Sequence, residues 1–182
     1  MLSRHPFSTL ATDRGFKERV REDMLVRLLD AFVWRNHGIL HCVPSPLDAL
    51  SEFLRLEQLL DRCLKIVDPE LYNYLRSKNL SAELYAFPSV LTLCACTPPL
   101  DQVLRLWDFL LAFGVHLNVL CVIAQLLLIR DDVIASSSPM RLLRTFPPLE
   151  ASPVIGIAVT LVRDLPAELY DELVRHPYEY RK

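Results

Sequence analysis

The chain has 182 residues, 52% hydrophobic and 23% charged. That is enough apolar material for the core of one domain and too much for a disordered tail. Twenty basic and 22 acidic residues leave a net charge of −2, so there is no basic field to condense on phosphate, and nucleic acid is excluded as an expected partner.

The hydrophobic period is helical from end to end. Between residues 16 and 34, apolar side chains recur at Phe16, Val20, Met24, Leu28 and Phe32, with Leu25, Leu29 and Val33 widening the stripe. This is the pattern of an amphipathic helix with a broad buried face, and Gly38 stands just beyond it as a stop. Prolines then mark helix starts. Ser45-Pro46, Asp68-Pro69, Ser138-Pro139 and Ser152-Pro153 each place a capping side chain before a proline, which loses nothing at the first helical position. They predict helices beginning near 46, 69, 139 and 153. Pro166 with Glu168 predicts another, running to about Val174. Pro98-Pro99 separates a helix ending near Cys94 from one over residues 100–113, and Pro88 should kink or restart the former. Residues 136–138 read as a short loop. The β-branched stretch 154–162 is read as buried helix. The expected fold is all-α, an array of about eight helices.

Residues 109–129 contain no Asp, Glu, Lys or Arg, long enough by length alone to span a bilayer. Gly114, His116, Asn118 and Gln125 interrupt the run, so it is read as two buried helices meeting at a tight turn, with no membrane span. The N-terminus lacks the apolar core of a signal peptide.

Motif chemistry is sparse. The five cysteines, at 42, 63, 94, 96 and 121, read as buried thiols of a reducing compartment rather than a disulfide framework. Cys94 and Cys96 could form half of a zinc site, but no second pair at suitable spacing completes it. No nucleophile elbow, phosphate-binding loop or HExxH occurs, and the histidines at 5, 37, 41, 116 and 176 have no orienting partner by spacing. No metal, cofactor or catalytic residue is expected. Leu106-Trp107-Asp108 stands out. Trp107 shares an apolar face with Leu100, Val103, Leu104 and Leu111, and reads as a core tryptophan whose indole N–H finds a carbonyl, with Asp108 capping or pairing with a base.

The run from Leu80 to Asp131, with LWD at 106–108 and Gly114 after it, resembles the C-terminal half of a TBC domain of the Rab-GAP family. The segments RLLRTFPPL at 141–149 and LPAELYDELVRHP at 165–177 extend the likeness, and residues 7–40 are similar to the segment around that family's arginine finger. Most members carry Arg-Trp where this chain has Pro88-Ser89. That departure resembles the mitotic-exit and septation branch. The resemblance implies a single partial TBC domain over residues 1–182, with 7–40 and 60–177 matching the family and 41–59 disrupted. It implies GTPase activation toward a small GTPase, a separate GAP scaffold subunit as partner, and a cytoplasmic, spindle-pole setting.

Family chemistry uses an arginine from IxxDxxR and a glutamine from YxQG, both supplied to the GTPase in trans. Aligning Phe7-Ser8-Thr9-Leu10 on the family's Phe-Arg-Thr-Leu puts Ser8 at the arginine, with Leu2 and His5 at the isoleucine and aspartate. Arg4 is out of register. The glutamine motif should follow Leu40-His41, where Cys42-Val43-Pro44-Ser45 stands instead, and no Tyr-x-Gln-Gly occurs anywhere. The resemblance also implies missing opening helices and a second gap between residues 53 and 60. The expectation is therefore a shortened family member with little or no finger-dependent catalysis, exposed apolar faces and poor solubility; one alternative is a non-catalytic module that contacts the GTPase or the scaffold, and another, favoured by the two clean breaks, is an incomplete gene model whose absent exons carry both fingers.

Overall fold

The computed structural model describes the backbone of residues 46–176 and the side chains of residues 55–176. The chain divides into two compact units, Met1–Val43 and Pro44–Lys182. The helix expected over 16–34 and the residues aligned on the finger motifs lie outside the described residues.

Every regular element described is helical. They are α1 Pro46–Val67, α2 Pro69–Ser77, α3 Ala82–Leu91, α4 Leu100–Phe113, a 3-10 turn Val115–Leu117, α5 Asn118–Leu128, α6 Arg130–Ala135, α7 Pro139–Arg144, α8 Ala151–Asp164 and α9 Ala167–Arg175. The all-α expectation holds, and α4 has the expected bounds. Helices at 46, 69 and 139 start on their prolines as expected. At α2 the Asp68 side chain accepts the Leu71 N–H at 2.9 Å, the capping bond that satisfies one orphan donor of the first turn. α1 is continuous through residues 53–60, so the break in family pattern there is not a break in the helix.

The core is organised around α5. Every residue from Asn118 to Leu126 is buried, as befits a helix that is apolar nearly all round. α8 packs along α5 and α4, while α1 and α3 also pack against α5. The run 109–129 is thus broken at Gly114 into α4, the 3-10 turn and α5. Among the described residues no helix is long and apolar enough to cross a membrane.

Three expectations are corrected. The helix expected at 153 begins at Ala151, with Glu150 as the flanking residue. Its end is capped from elsewhere: the Gln102 Oε1 on α4 accepts the Ala151 N–H at 3.0 Å. Pro153 is tolerated because first-turn N–H groups have no intrahelical partner. The helix carrying Pro88 neither restarts there nor reaches Cys94. It runs through the proline and stops at Leu91. On α4, Leu104 and Asp108 are exposed, while Val103, Leu106, Phe109 and Leu110 form the buried face.

Candidate functional site

The chain reversal after α3 is the most constrained backbone among the described residues. Leu93 (φ 49°) and Cys94 (φ 63°) both take the left-handed conformation without being glycine, at a cost of about 1–2 kcal/mol each. Four groups from three elements hold them there. The Cys94 N–H reaches back to the Ser89 carbonyl at 2.7 Å. The Trp107 indole N–H on α4 donates to the Leu93 carbonyl at 2.9 Å. From α5, the Asn118 amide donates to the Ser89 and Val90 carbonyls, both at 3.3 Å, and its Oδ1 accepts the Cys94 thiol at 3.3 Å. Gln125, two turns on, donates to the same sulfur at 3.2 Å and to the Cys121 carbonyl at 3.4 Å. The carbonyls at a helix C-terminus have no intrahelical partner; here the turn's own Cys94 and Leu93 N–H groups reach the Ser89 and Val90 carbonyls, and Asn118 adds a second donor to each. Trp107 is half-buried against the core rather than within it; its indole N–H does find a carbonyl, that of the strained Leu93.

The orientation of the Gln125 amide follows from its neighbours. The Cys121 carbonyl can only accept, and the Cys94 thiol proton is already given to Asn118, so nitrogen must face both. The Gln125 Oε1 is left buried with no hydrogen-bond partner among the described residues. The Cys94 and Cys96 sulfurs go to different partners. Cys94 joins this network, while Cys96 lies 3.5 Å from the Ser89 hydroxyl. Burial pushes the thiols of Cys63 and Cys94 up to about 12, and that of Cys121 higher still, because the thiolate would lose its hydration. Cys42 lies outside the described residues.

Gly114 ends α4 at φ 128° and ψ 136°, a region closed to side chains with a Cβ. An added Cβ would also lie 2.4 Å from the His116 ring. That ring is buried and meets the Tyr170 ring edge-on at 5.9 Å, with the Tyr170 hydroxyl 3.5 Å from Nε2. Burial holds the His116 pKa below its ordinary value. Arg130 donates to Asp68 at 2.6 Å, to Asp131 at 3.1 Å and to Glu70, so it ties α6 to the start of α2.

Ser8, Leu2, His5, Arg4 and residues 40–45 lie outside the described residues. Sequence reasoning missed Asn118 and Gln125 as a unit. Their signal was present: they are polar, seven residues apart, and therefore on one face of a helix inside an uncharged run.

The Rab-GTPase-TBC domain family model matches residues 23–134, well over half of the chain. This chain belongs to the TBC family. It is 42% identical over 202 aligned positions to Cell division control protein 16 of Schizosaccharomyces pombe, covering 94% of this chain and 68% of that protein. It is 35% identical over 212 positions to Mitotic check point protein BUB2 of Saccharomyces cerevisiae, with 92% and 69% covered. A putative mitotic check point protein BUB2 of Dictyostelium discoideum is 50% identical over 201 positions, with 93% and 54% covered. No solved structure matches. Each alignment is longer than the 182 residues of this chain, by 20, 30 and 19 positions. This TBC domain therefore lacks internal residues that all three relatives carry. In this TBC domain the LWD tryptophan holds the reversal after α3 through its bond to the Leu93 carbonyl.

Proposed function

We propose that this chain acts as a TBC-type regulator of a small GTPase in mitotic exit and septation control, and that it binds its target without finger-dependent stimulation of hydrolysis. The observation that carries the proposal is the likeness to division-control and checkpoint proteins in alignments longer than the chain itself. A finger arginine neutralises charge on the transferring phosphoryl group and is worth about 10³–10⁵ in rate. Serine at position 8 carries no cation, and no YxQG glutamine exists to place the water. The likeness to the two-component branch extends the proposal to a scaffold subunit as partner and to the spindle pole as location.

The test is single-turnover GTP hydrolysis by a panel of small GTPases with the full chain added to excess. Saturable binding with an unchanged hydrolysis rate is expected. Acceleration of about 10³-fold or more would overturn the loss of catalysis while sustaining the family role. A chain that binds no GTPase of the panel, with or without a scaffold subunit, would overturn the regulator reading.

A further inference from the structure

We propose that the cleft between α3 and α7 is a docking site for an aromatic side chain carried on an acidic segment of a partner protein. The proposal does not depend on whether hydrolysis is stimulated. The cleft encloses about 280 Å³. A cavity of about 150 Å³ holds benzene, and pockets for drug-sized molecules begin at about 300 Å³. This volume therefore suits one large side chain better than a whole small molecule.

The walls specify the occupant further. Tyr85, Ser89 and Leu143 line the cleft and are 3%, 2% and 1% exposed, so its deepest part is set by core packing. Pro88, Pro98 and Phe146 add flat, rigid apolar surfaces, against which an aromatic ring packs with little entropy to lose. The Ser89 hydroxyl and the Cys96 thiol, 3.5 Å apart, also line it. A hydroxyl has one proton and two lone pairs. Their mutual bond leaves acceptor capacity for an indole N–H or phenol O–H, which favours tryptophan or tyrosine.

Charge at the rim sets what flanks the ring. Arg144 lines the cleft, and Arg141 stands one turn earlier on α7. Both are exposed, and neither forms an ion pair among the described residues. Residues three apart share a helix face, so one cation borders the apolar cleft and a second stands on the same face of α7. Opposite charge on the incoming segment fits that border and speeds encounter.

The experiment titrates the full chain with a fluorescein-labelled dodecapeptide in a Gly/Ser background. It carries one central tryptophan with three glutamates on each side. Fluorescence polarisation should saturate, and replacing the tryptophan by alanine should abolish binding. Arg144→Glu, at an exposed position, should weaken binding at least tenfold while leaving the melting temperature unchanged. Ser89→Trp should fill the cleft with an indole from this chain and compete the peptide away. If that variant does not fold, Arg144→Glu carries the test alone. Three results would each overturn the proposal: no saturation up to millimolar peptide, equal affinity for a peptide with lysines in place of the glutamates, or unchanged affinity in Arg144→Glu. Concentration-dependent dimerisation lost in Arg144→Glu would also overturn it, by giving the cleft to a second copy.

Discussion

Replacing Gly114 by alanine adds one methyl group and tests the joint between α4 and α5. Two costs follow from the geometry. A backbone held near φ 128° and ψ 136° is open to glycine and costs other residues about 1–3 kcal/mol. The new Cβ would also lie 2.4 Å from His116 Cε1 and 2.5 Å from Nδ1, so the ring must leave its place. Moving it forfeits the edge-on contact with Tyr170, worth about 0.5–1.5 kcal/mol. Together these give about 2–4 kcal/mol, or a fall in melting temperature of about 4–16 °C for a chain of this size. Thermal unfolding followed by circular dichroism reads it directly. A double-mutant cycle with His116→Ala separates the two costs. The clash should vanish in the double mutant and the backbone strain should persist. A Gly114→Ala chain melting within 1 °C of the wild type would refute both parts of the reasoning.

Trp107→Phe should keep most of the packing but strand the Leu93 carbonyl, costing about 1–2 kcal/mol; amide hydrogen exchange at 92–97 should rise more than elsewhere, and uniform loosening would count against a local clamp. Because burial holds His116 below its ordinary value, the unfolded chain takes up that proton first as pH falls. Its contribution to stability is therefore complete above about pH 6.5 and is lost below it. His116→Phe should flatten the wild-type slope between pH 5 and 7, and an unchanged slope would assign it to other groups. In a Cys42→Ser background at pH 8, a thiol reagent should modify Cys96 well before Cys63, Cys94 and Cys121, whose thiols are raised by burial. Fast labelling of Cys94 would show that the network around it opens readily.

Local signals were read correctly where the physics is local. Proline located the starts of α1, α2 and α7, although of the expected caps Asp68 makes its bond and Ser138 makes none, and Gly114 ended α4 through its backbone conformation. The misreadings share one cause. The start of α8 moved two residues because Gln102, 49 positions away, caps it. The end of α3 moved because Asn118 and Trp107 provide donors that no neighbour in sequence could reveal. Leu104 and Asp108 followed the apolar text around them, yet burial depends on which face meets α8 and the 3-10 turn. As for the site, the absence of YxQG could be read from the order of residues alone, while the α3–α7 cleft needed the three-dimensional meeting of Ser89, Cys96 and Arg144.

The clamp on the reversal after α3 changes what a conserved-looking signature can certify. Leu93 and Cys94 take their costly geometry where α4 and α5 meet the reversal, and the Trp107 bond is part of what holds it there. That task is met within this chain's own backbone. The tryptophan therefore reports on closure of this half of the scaffold, whether or not the domain stimulates hydrolysis.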